Sequence, residues 1–256
     1  MTVKIRLLTC GWLETDAKLI IAGGEGRIRL PIPSVLIEHP QGLVLFDTGL
    51  HEALHHDTSR LGTNEKLFDV DMHAGDSVGH QLNALGIHPS DVRYVINSHL
   101  HFDHCGGNAE MPNATMVIQR PEWEAGGKQK LIDLGVYNPA DYDLGHDIME
   151  IDGEHDLFGD GSVVCSPTYG HTPGHQSLIA RNEHGEFLFA ADTCYLRETL
   201  AEGRLPRIGY NLDMQRQSLQ WIKEQQEKGI QLIYGHDMRQ WPVLAAEDEL
   251  RYVGEF

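Results

Sequence analysis

Short apolar runs alternate along the chain with amphipathic stretches. In the first half the runs are brief and rich in Val, Ile, Leu and Phe, as buried strands are, whereas Val78, Leu82 and Leu85 recur at helical spacing. A second helix is expected from Pro121, since proline suits the first turn of a helix. The predicted strands of this half are residues 3–8, 35–37, 43–46, 92–96 and 115–118.

The second half repeats this rhythm after a polar stretch rich in Gly and Asp at about residues 141–160. Its helix should begin near Asp213 as the N-cap and run to Lys228, with Gly229 just past the end. The predicted strands of this half are residues 162–165, 177–180, 187–190 and 230–234. Because strands and helices alternate in both halves, the pattern predicts an α/β fold in which two sheets pack together with helices outside.

Length and composition are those of a globular chain. With 256 residues and 41% hydrophobic content, the chain can bury a sizeable core. Lys4 and Arg6 interrupt the short apolar stretch at the start, so neither a signal peptide nor a membrane span is predicted. The four cysteines are widely separated, which favours free thiols in a reducing compartment and hence a cytoplasmic location; they are Cys10, Cys105, Cys165 and Cys194.

The charge balance limits the partners. Thirty-eight acidic and 20 basic side chains give a formal net charge of −18. The summed field should repel polyanions, so we expect neither nucleic acid nor an anionic membrane as a partner. Bound divalent cations would offset part of this charge.

Candidate metal ligands are concentrated in residues 99–104, which read HLHFDH and directly follow a predicted strand. Because alternate residues of an extended segment point the same way, His99 and His101 can hold one ion. Asp103 and His104 belong to the following turn and can face a second ion, at the ~3.5–4 Å separation of two-metal hydrolytic sites. The alternative is a solvated histidine-rich loop, which the preceding apolar strand and the following Gly-Gly pair disfavour.

Three later segments place a further ligand type at or near the end of a predicted strand. These ligands are His171, Asp192 and His236. If the strand ends meet, His171 can join the first ion and His236 the second. Asp192 can lie between the ions, since a carboxylate has two oxygens and a neutral imidazole cannot bridge.

The order His-x-His-x-Asp-His, then His, Asp and His, resembles the metallo-β-lactamase superfamily at all seven positions. The element Asp47-Thr-Gly49 is also similar, and Asp47 would then orient a metal-bound histidine, although an ordinary turn Asp is an alternative. The resemblance implies one hydrolase domain over residues 1–256, folded as a four-layer αββα sandwich with two mixed sheets and outer helices. It also implies two divalent ions, Zn²⁺ first, with Mn²⁺, Co²⁺ or Fe²⁺ as alternatives.

Tyr195 follows Asp192 at the spacing Asp-x-x-Tyr, which resembles the N-acyl homoserine lactone lactonases, the quorum-quenching lactonases. The resemblance implies a monomer or homodimer that opens small lactones by attack of a hydroxide bridging two ions. Tyr195 would polarise the carbonyl and Asp103 would transfer the proton. Tyr195 as a core aromatic is the alternative. In the loop His171-Thr-Pro-Gly-His175, His175 is expected to be structural rather than a ligand.

Two other functions fit the same ligands. A glyoxalase II-like thioesterase, or another small-ester hydrolase, shares the scaffold, but this acidic chain lacks an obvious basic site for glutathione carboxylates. A catalytically silent metal-binding module is the non-enzyme alternative. Segments at about 50–75 and 196–211 are expected to shape the substrate pocket. The residues suggested for an acyl-chain groove are Met72, Leu100, Phe102 and Ile208, and ordinary core packing is the alternative for each of them.

Overall fold

Two β-sheets form the centre of the computed structural model, which describes residues 3–207 and 209–251. The first sheet has seven strands in the order β4-β1-β2-β3-β5-β6-β7. Its strands β1 to β4 pair antiparallel and its neighbours β3-β5-β6-β7 pair parallel. The strands are β1 Lys4–Asp16, β2 Arg27–His39, β3 Gly42–Phe46, β4 Asp69–Asp71, β5 Val92–Ile96, β6 Thr115–Gln119 and β7 Ile148–Ile151.

The second sheet has five strands in the order β12-β11-β10-β9-β8, with β11 and β12 parallel and the remaining pairs antiparallel. Both sheets are therefore mixed, as predicted. The strands are β8 His155–Asp156, β9 Val163–Pro167, β10 Gln176–Asn182, β11 Gly185–Phe189 and β12 Gln231–Ile233.

Short helices connect the strands. The α-helices are α1 Ala17–Ile20, α2 Val78–Ala84, α3 Phe102–Cys105, α4 Arg120–Gly126, α5 Gln129–Asp133, α6 Arg197–Glu202, α7 Leu212–Glu227 and α8 Trp241–Leu244. The 3₁₀ helices are Glu52–His55, Thr58–Lys66, Ala74–Asp76, Pro89–Asp91, Asn108–Glu110, Pro139–Asp141 and Ala191–Thr193. Among the residues that the structure describes, no helix is long and apolar enough to cross a membrane.

Alternation along the strands produces the layers. On β3, Val44 and Phe46 face the core between the sheets, whereas Leu45 packs with α2 residues on the other side. In the second sheet, Leu188 and Leu232 pack on their outer side with residues of α7. Because successive residues of a strand point to opposite faces, one strand can serve two apolar layers. The result is the predicted four-layer αββα arrangement.

Strands β1 and β2 run further than the prediction. The apolar run ends near Leu8, but β1 continues because Gly11, at a φ of 96°, lies in a β-bulge that absorbs the irregularity. In β2, Pro33 and Pro31 pair with residues on either side of this bulge. Proline has no N–H to donate, and it destabilises a sheet less where the ladder of hydrogen bonds is already interrupted. The two prolines therefore do not end β2.

The long helix α7 begins earlier than predicted. Its N-cap is Asn211, whose side-chain oxygen accepts hydrogen bonds from the backbone N–H groups of Asp213 and Met214, so the assignment of Asp213 as the cap is wrong. Asn and Asp are both good N-cap residues. Asn211 is the cap because its backbone is extended, as the backbone of an N-cap residue is. Leu219 and Ile222 are buried on the side of α7 that packs with Leu188 and Leu232 of the second sheet.

Candidate metal centre

The predicted ligands follow the carboxyl ends of strands from both sheets. His99 and His101 follow β5, and Asp103 and His104 lie in the short helix α3. The second sheet contributes His171 after β9, Asp192 after β11 and His236 after β12. All seven residues come together at one edge of the sandwich, in two groups that each suit a metal ion.

The first group is His99, His101, His171 and Asp192. Nδ1 of His101 lies 2.9 Å from Nε2 of His99 and 3.1 Å from Nε2 of His171. Oδ2 of Asp192 lies 3.3 Å from Nε2 of His171. Three imidazole nitrogens and one carboxylate oxygen thus converge on one point, which is a donor set typical of Zn²⁺ and its neighbours.

The second group is Asp103, His104 and His236. Nε2 of His104 lies 3.6 Å from Oδ2 of Asp103. Oδ1 of Asp192 lies 3.0 Å from Nε2 of His104 and 2.9 Å from Nε2 of His236. Asp192 therefore presents one oxygen to each group, as a bridging carboxylate must.

The residues present fit two divalent ions. The Nε2 atom of His104 is buried and has no hydrogen-bond partner among the described residues, although Asp192 is close. A buried imidazole nitrogen left without a partner is costly in a purely structural site. A cation between these ligands would satisfy the nitrogen, and the mixture of imidazole and carboxylate suits such an ion.

The electrostatics of the two groups differ. Burial, followed by the neighbouring histidines, lowers the pKa of His99 well below its usual range, and burial likewise lowers that of His171. Both rings are thus neutral, which is the form that binds a metal. Burial also lowers the pKa of His104, but Asp192, Asp103 and Asp47 outweigh it and raise the pKa well above 6.5. The field around the second group is therefore strongly attractive to a cation.

Hydrogen bonds from the rear hold the second group in position. Nδ1 of His104 lies 2.8 Å from Oδ2 of Asp47, and the same oxygen accepts from the Ser98 hydroxyl. The other Asp47 oxygen accepts from the Ser98 backbone N–H at 2.7 Å. Nδ1 of His236 is 2.8 Å from the carbonyl oxygen of Pro31. A proton on each Nδ1 leaves Nε2 free to face the site, so Asp47 is placed to orient His104.

Tyr195 lies between the two groups. Its ring stacks on His236 at a centroid distance of 5.5 Å and stands perpendicular to His171 at 5.7 Å. The hydroxyl is 3.3 Å from Nδ1 of His171. Burial, with added effect from Asp192 and Asp103, raises the pKa of the phenol well above 10. The hydroxyl therefore remains a proton donor across the physiological range.

His175 lies behind the site. Its Nε2 accepts a hydrogen bond from the backbone N–H of Asp192, and its Nδ1 lies 2.9 and 3.0 Å from the hydroxyls of Thr168 and Thr193. Burial lowers its pKa to about 3, so the ring is neutral. These contacts match the structural role predicted for it, since they fix the turn that carries Asp192.

Glu122 was missed by the sequence analysis. One carboxylate oxygen accepts from the backbone N–H of Leu100 at 3.2 Å and from the hydroxyl of Tyr137 at 2.9 Å. The other accepts from the N–H of Gly174 at 2.9 Å. Glu122 thus joins the loop of His99 to the loop of His171. In the sequence it is an acidic residue in the first turn of a helix, a common arrangement with no hint of this role.

Two residues beside the site have backbone conformations that favour glycine. Asp47 has a φ of 58° and Ala191, next to Asp192, has a φ of 44°. Gly235, next to His236, packs against Ala191 so closely that a Cβ atom would lie 2.4 Å from the Ala191 carbonyl oxygen. The chain is therefore bent sharply and packed tightly at the points where it presents ligands.

The residues suggested for an acyl groove divide into two sets. Met72 and Phe102 belong to the same apolar cluster as Tyr195, beside the site. Leu100 is 2% exposed and packs in a core cluster with Tyr137. Its assignment to a groove wall is therefore wrong. Ile208 lies outside the described residues.

Comparison with known proteins agrees with this geometry. The metallo-beta-lactamase superfamily matches residues 27–236. The N-acyl homoserine lactonase AttM of Azorhizobium caulinodans is 34% identical over 253 residues, covering 94% of this chain and 95% of the relative. An N-acyl homoserine lactonase of Bacillus cereus is 31% identical over 226 residues, covering 83% and 84%.

A solved structure has a similar fold. An N-acyl homoserine lactone hydrolase, determined with the product N-hexanoyl-L-homoserine bound at its catalytic metal centre, superposes with a TM-score of 0.85. It is 28% identical, and the match covers 95% of this chain and 97% of that one. The predicted resemblance is therefore confirmed. The match over residues 27–236 and the 34% identity to a lactonase over nearly the whole chain show that this chain belongs to the metallo-beta-lactamase superfamily, and its convergent His and Asp side chains could hold metal ions.

Proposed function

We propose that this protein is a metal-dependent hydrolase that opens the lactone ring of N-acyl homoserine lactones. The observation that carries the proposal is the position of Tyr195, whose phenol lies between the two ligand groups, with an unionised hydroxyl. The relatives named N-acyl homoserine lactonases, and the hydrolase with N-hexanoyl-L-homoserine at its metal centre, support this substrate class.

We propose two divalent ions as cofactors, with Zn²⁺ first because the donor set is rich in imidazole. His99, His101 and His171 would hold one ion, Asp103, His104 and His236 the other, and Asp192 would contact both. When bound, such ions act as Lewis acids and lower the pKa of water towards about 7, so that a hydroxide is available at neutral pH.

Tyr195 supplies a directed hydrogen bond. As the lactone carbonyl carbon is attacked, negative charge grows on its oxygen, and the phenol O–H donates to that oxygen. A donor aimed at a developing oxyanion in a buried site commonly contributes about 3–4 kcal/mol to transition-state stabilisation. The buried surroundings of Tyr195, which is 8% exposed, strengthen this bond because little water competes for it.

We assign the proton transfer to Asp103. Ring opening adds water across the ester bond: the attacking oxygen loses a proton and the ring oxygen, as its bond to carbon breaks, must gain one. The carboxylate of Asp103 lies at the edge of the site, 3.6 Å from Nε2 of His104, and is more exposed than Asp192. It can therefore reach a substrate and carry that proton between the two oxygens.

The site, the net charge and the cysteines also support a domain organisation, a class of partner and a cellular location. Ligands from both sheets build one site, which supports a single hydrolase domain over residues 1–256. The partner is a small lactone, not nucleic acid or a membrane, because the formal charge of −18 repels polyanions. The four cysteines are buried and free, in keeping with the cytoplasm. A monomer or homodimer suffices for this chemistry.

Acid release from a panel of substrates tests the proposal. The purified protein is loaded separately with Zn²⁺, Mn²⁺ and Co²⁺ and given N-hexanoyl homoserine lactone, γ-butyrolactone or a glutathione thioester. Metal-free protein, prepared with a chelator, is the control. The metal content of protein purified without added metal is measured in parallel, and zinc as the main ion is the expected result.

We expect metal-dependent hydrolysis of the lactones and little hydrolysis of the thioester. Turnover of the thioester alone would assign the chain to the glyoxalase II-like thioesterases. Metal binding without turnover of any substrate would leave a silent metal-binding module as the correct description.

A further inference from the structure

A cavity of about 280 Å³ adjoins the candidate metal centre. Residues 60–64 line one side, and residues between 132 and 138 line the other. Phe102, which directly precedes Asp103, also lines it. Tyr137 belongs to the second wall, and its ring lies 5.8 Å from that of His101. The candidate metal ligands themselves do not line the cavity, and Phe102 and Tyr137 are the residues that connect it to the metal centre.

The wall formed by residues 60–64 belongs to a segment that packs, through Leu61 and Phe68, in the same apolar cluster as Tyr195. We call residues 58–68 the lid segment; it consists of the 3₁₀ helix Thr58–Lys66 and the two residues after it. Gly62 interrupts the helix with a φ of 57°. The ring of Phe68, at the end of the lid segment, packs edge-on against Phe102 at 5.6 Å. The lid segment thus covers the apolar side of the site without a regular helix to stiffen it.

Polar contacts fasten the lid segment to the opposite wall. The Arg60 guanidinium donates to Oδ1 of Asp141 at 2.6 Å and to the carbonyl oxygen of Ala140 at 3.1 Å. The Asn64 side-chain amide donates to the carbonyl oxygen of Gly135 at 3.1 Å. We call the Arg60–Asp141 and Asn64–Gly135 contacts the clasp. They span 71 to 81 residues of sequence, so only the folded chain brings them together.

The ion pair is the stronger part of the clasp. Asp141 is 3% exposed, whereas the Arg60 side chain is 26% exposed at the surface of the lid segment. The second oxygen of Asp141 accepts from the Asn138 amide at 3.0 Å. The carboxylate is thus fixed in its own wall, and Arg60 is the movable partner that reaches it. Charge-assisted hydrogen bonds of this kind are stronger and more directional than neutral ones.

Gly135 shows how closely the walls approach. It has a φ of 72°, and a Cβ atom there would lie 2.1 Å from the Thr63 hydroxyl. A side chain at this position would force the Thr63 side chain to rotate or the lid segment to shift. The width of the cavity therefore depends on the clasp and on the absence of a side chain at Gly135.

We propose that Arg60 and Asp141 are positioning residues that set the width of this cavity and thereby determine which acyl chains the enzyme accepts. The inference rests on the proposed function. The lactone ring is held by Tyr195 and the metal centre, outside the clasp, while the acyl chain extends into the cavity. The polar groups of Thr63, Asn64 and Asn138 on the cavity wall favour short chains or chains that carry oxygen.

Steady-state kinetics of the metal-loaded, full-length protein test the inference. The readout is the ratio of kcat/KM for N-hexanoyl homoserine lactone to kcat/KM for γ-butyrolactone, which has no acyl chain. The variants are Arg60→Gln, Asp141→Asn and the double variant. The control is Arg120→Gln, which removes an arginine that pairs with Glu150 and Asp152 outside the cavity.

We expect the ratio to fall about tenfold in each clasp variant, mainly through KM, as the loss of one well-placed contact in a pocket does. The ratio in the double variant should fall no further than in the more affected single variant, because the two residues share one contact. The control should keep the wild-type ratio. Gly135→Ala, which crowds the cavity wall at Thr63 without touching the ion pair, should lower the ratio as well.

Equal losses for both substrates, or an unchanged ratio in Arg60→Gln, would overturn the inference. Arg60→Gln decides the matter if the buried change Asp141→Asn prevents folding, since Arg60 lies partly at the surface. If the wild-type protein hydrolyses neither lactone, the proposed function fails instead. Thermal unfolding and metal content of every variant separate a change in selectivity from a loss of structure.

Discussion

Asp47→Asn is expected to weaken the second metal group while leaving the first intact. Asp47 is buried and accepts three hydrogen bonds, from the Ser98 N–H, the Ser98 hydroxyl and Nδ1 of His104. If the asparagine oxygen keeps the bond to the Ser98 N–H, the new NH₂ group faces His104. Nδ1 of His104 must then accept, which moves its proton to Nε2, the atom that faces the site.

The magnitude follows from the bond that is lost. A hydrogen bond to a charged group contributes about 1.5–3 kcal/mol. Converted at 1.4 kcal/mol per tenfold, this corresponds to a loss of roughly 10- to 100-fold in affinity for the second ion. Replacement of residues that orient metal ligands typically costs the same about 10- to 100-fold. Among the described residues, His99, His101 and His171 make no direct hydrogen bond to Asp47, and only His99 is linked to it, through the Ser98 hydroxyl, so the first ion should be held much more firmly than the second.

Metal content measured after dialysis against graded chelator provides the assay. Wild-type protein should release its ions at higher chelator concentrations than the variant, which should lose one ion per chain early. Asp160→Asn is a matched control, because the exposed side chain of Asp160 also accepts from a serine N–H, the same serine's hydroxyl and a histidine, which are Ser162 and His39. Release of both ions together, or release at the wild-type concentration, would refute the reasoning.

Three further changes have expected outcomes. Tyr195→Phe should lower kcat for lactones by about 100- to 1000-fold, as loss of an oxyanion donor does, while both ions remain bound; metal loss would show that the tyrosine is structural. Glu122→Gln, which weakens three hydrogen bonds that join two ligand loops, should lower the unfolding midpoint and the affinity for the first ion, measured by calorimetry and chelator titration. Hydrogen bonds from Ser162 hold the pKa of Asp160 at about 2, below its ordinary 3.8. Its stabilising effect is present above 3.8 and lost as the pH falls towards 2, so Asp160→Asn should be less stable than wild type at neutral pH, and denaturant titrations should show the difference vanish on acidification.

The ligands could be predicted because their signal is local. Four of them lie within residues 99–104, and the others follow predicted strands, so strand ends and residue chemistry together indicated one site. The layers of the fold could likewise be predicted, because successive residues of a strand such as β3 face alternate layers. Where alternation is broken, the prediction stopped early: Gly11 and the prolines of β2 read as breaks, although the bulge accommodates them.

Contacts between distant segments were not predictable. Glu122 reaches Gly174 across 52 residues, and Arg60 reaches Asp141 across 81. An acidic residue in a helix start and an arginine in a polar loop are ordinary in a sequence. Only the folded chain shows that they support the site. The N-cap of α7 was misplaced for a related reason, since Asn211 and Asp213 have equal preference and the backbone conformation decides.

The strained backbone at Ala191 has a consequence for the evolution of this enzyme. A left-handed conformation at a residue other than glycine costs about 1–2 kcal/mol, so glycine at position 191 would relieve the strain and raise local stability. The same change would give the backbone before Asp192 more conformational freedom and leave the hydrogen bond from the Asp192 N–H to His175 as its main restraint. Selection for thermal stability and selection for turnover therefore favour different residues at position 191. A library screened for stability alone should yield variants that are more stable but have a lower kcat.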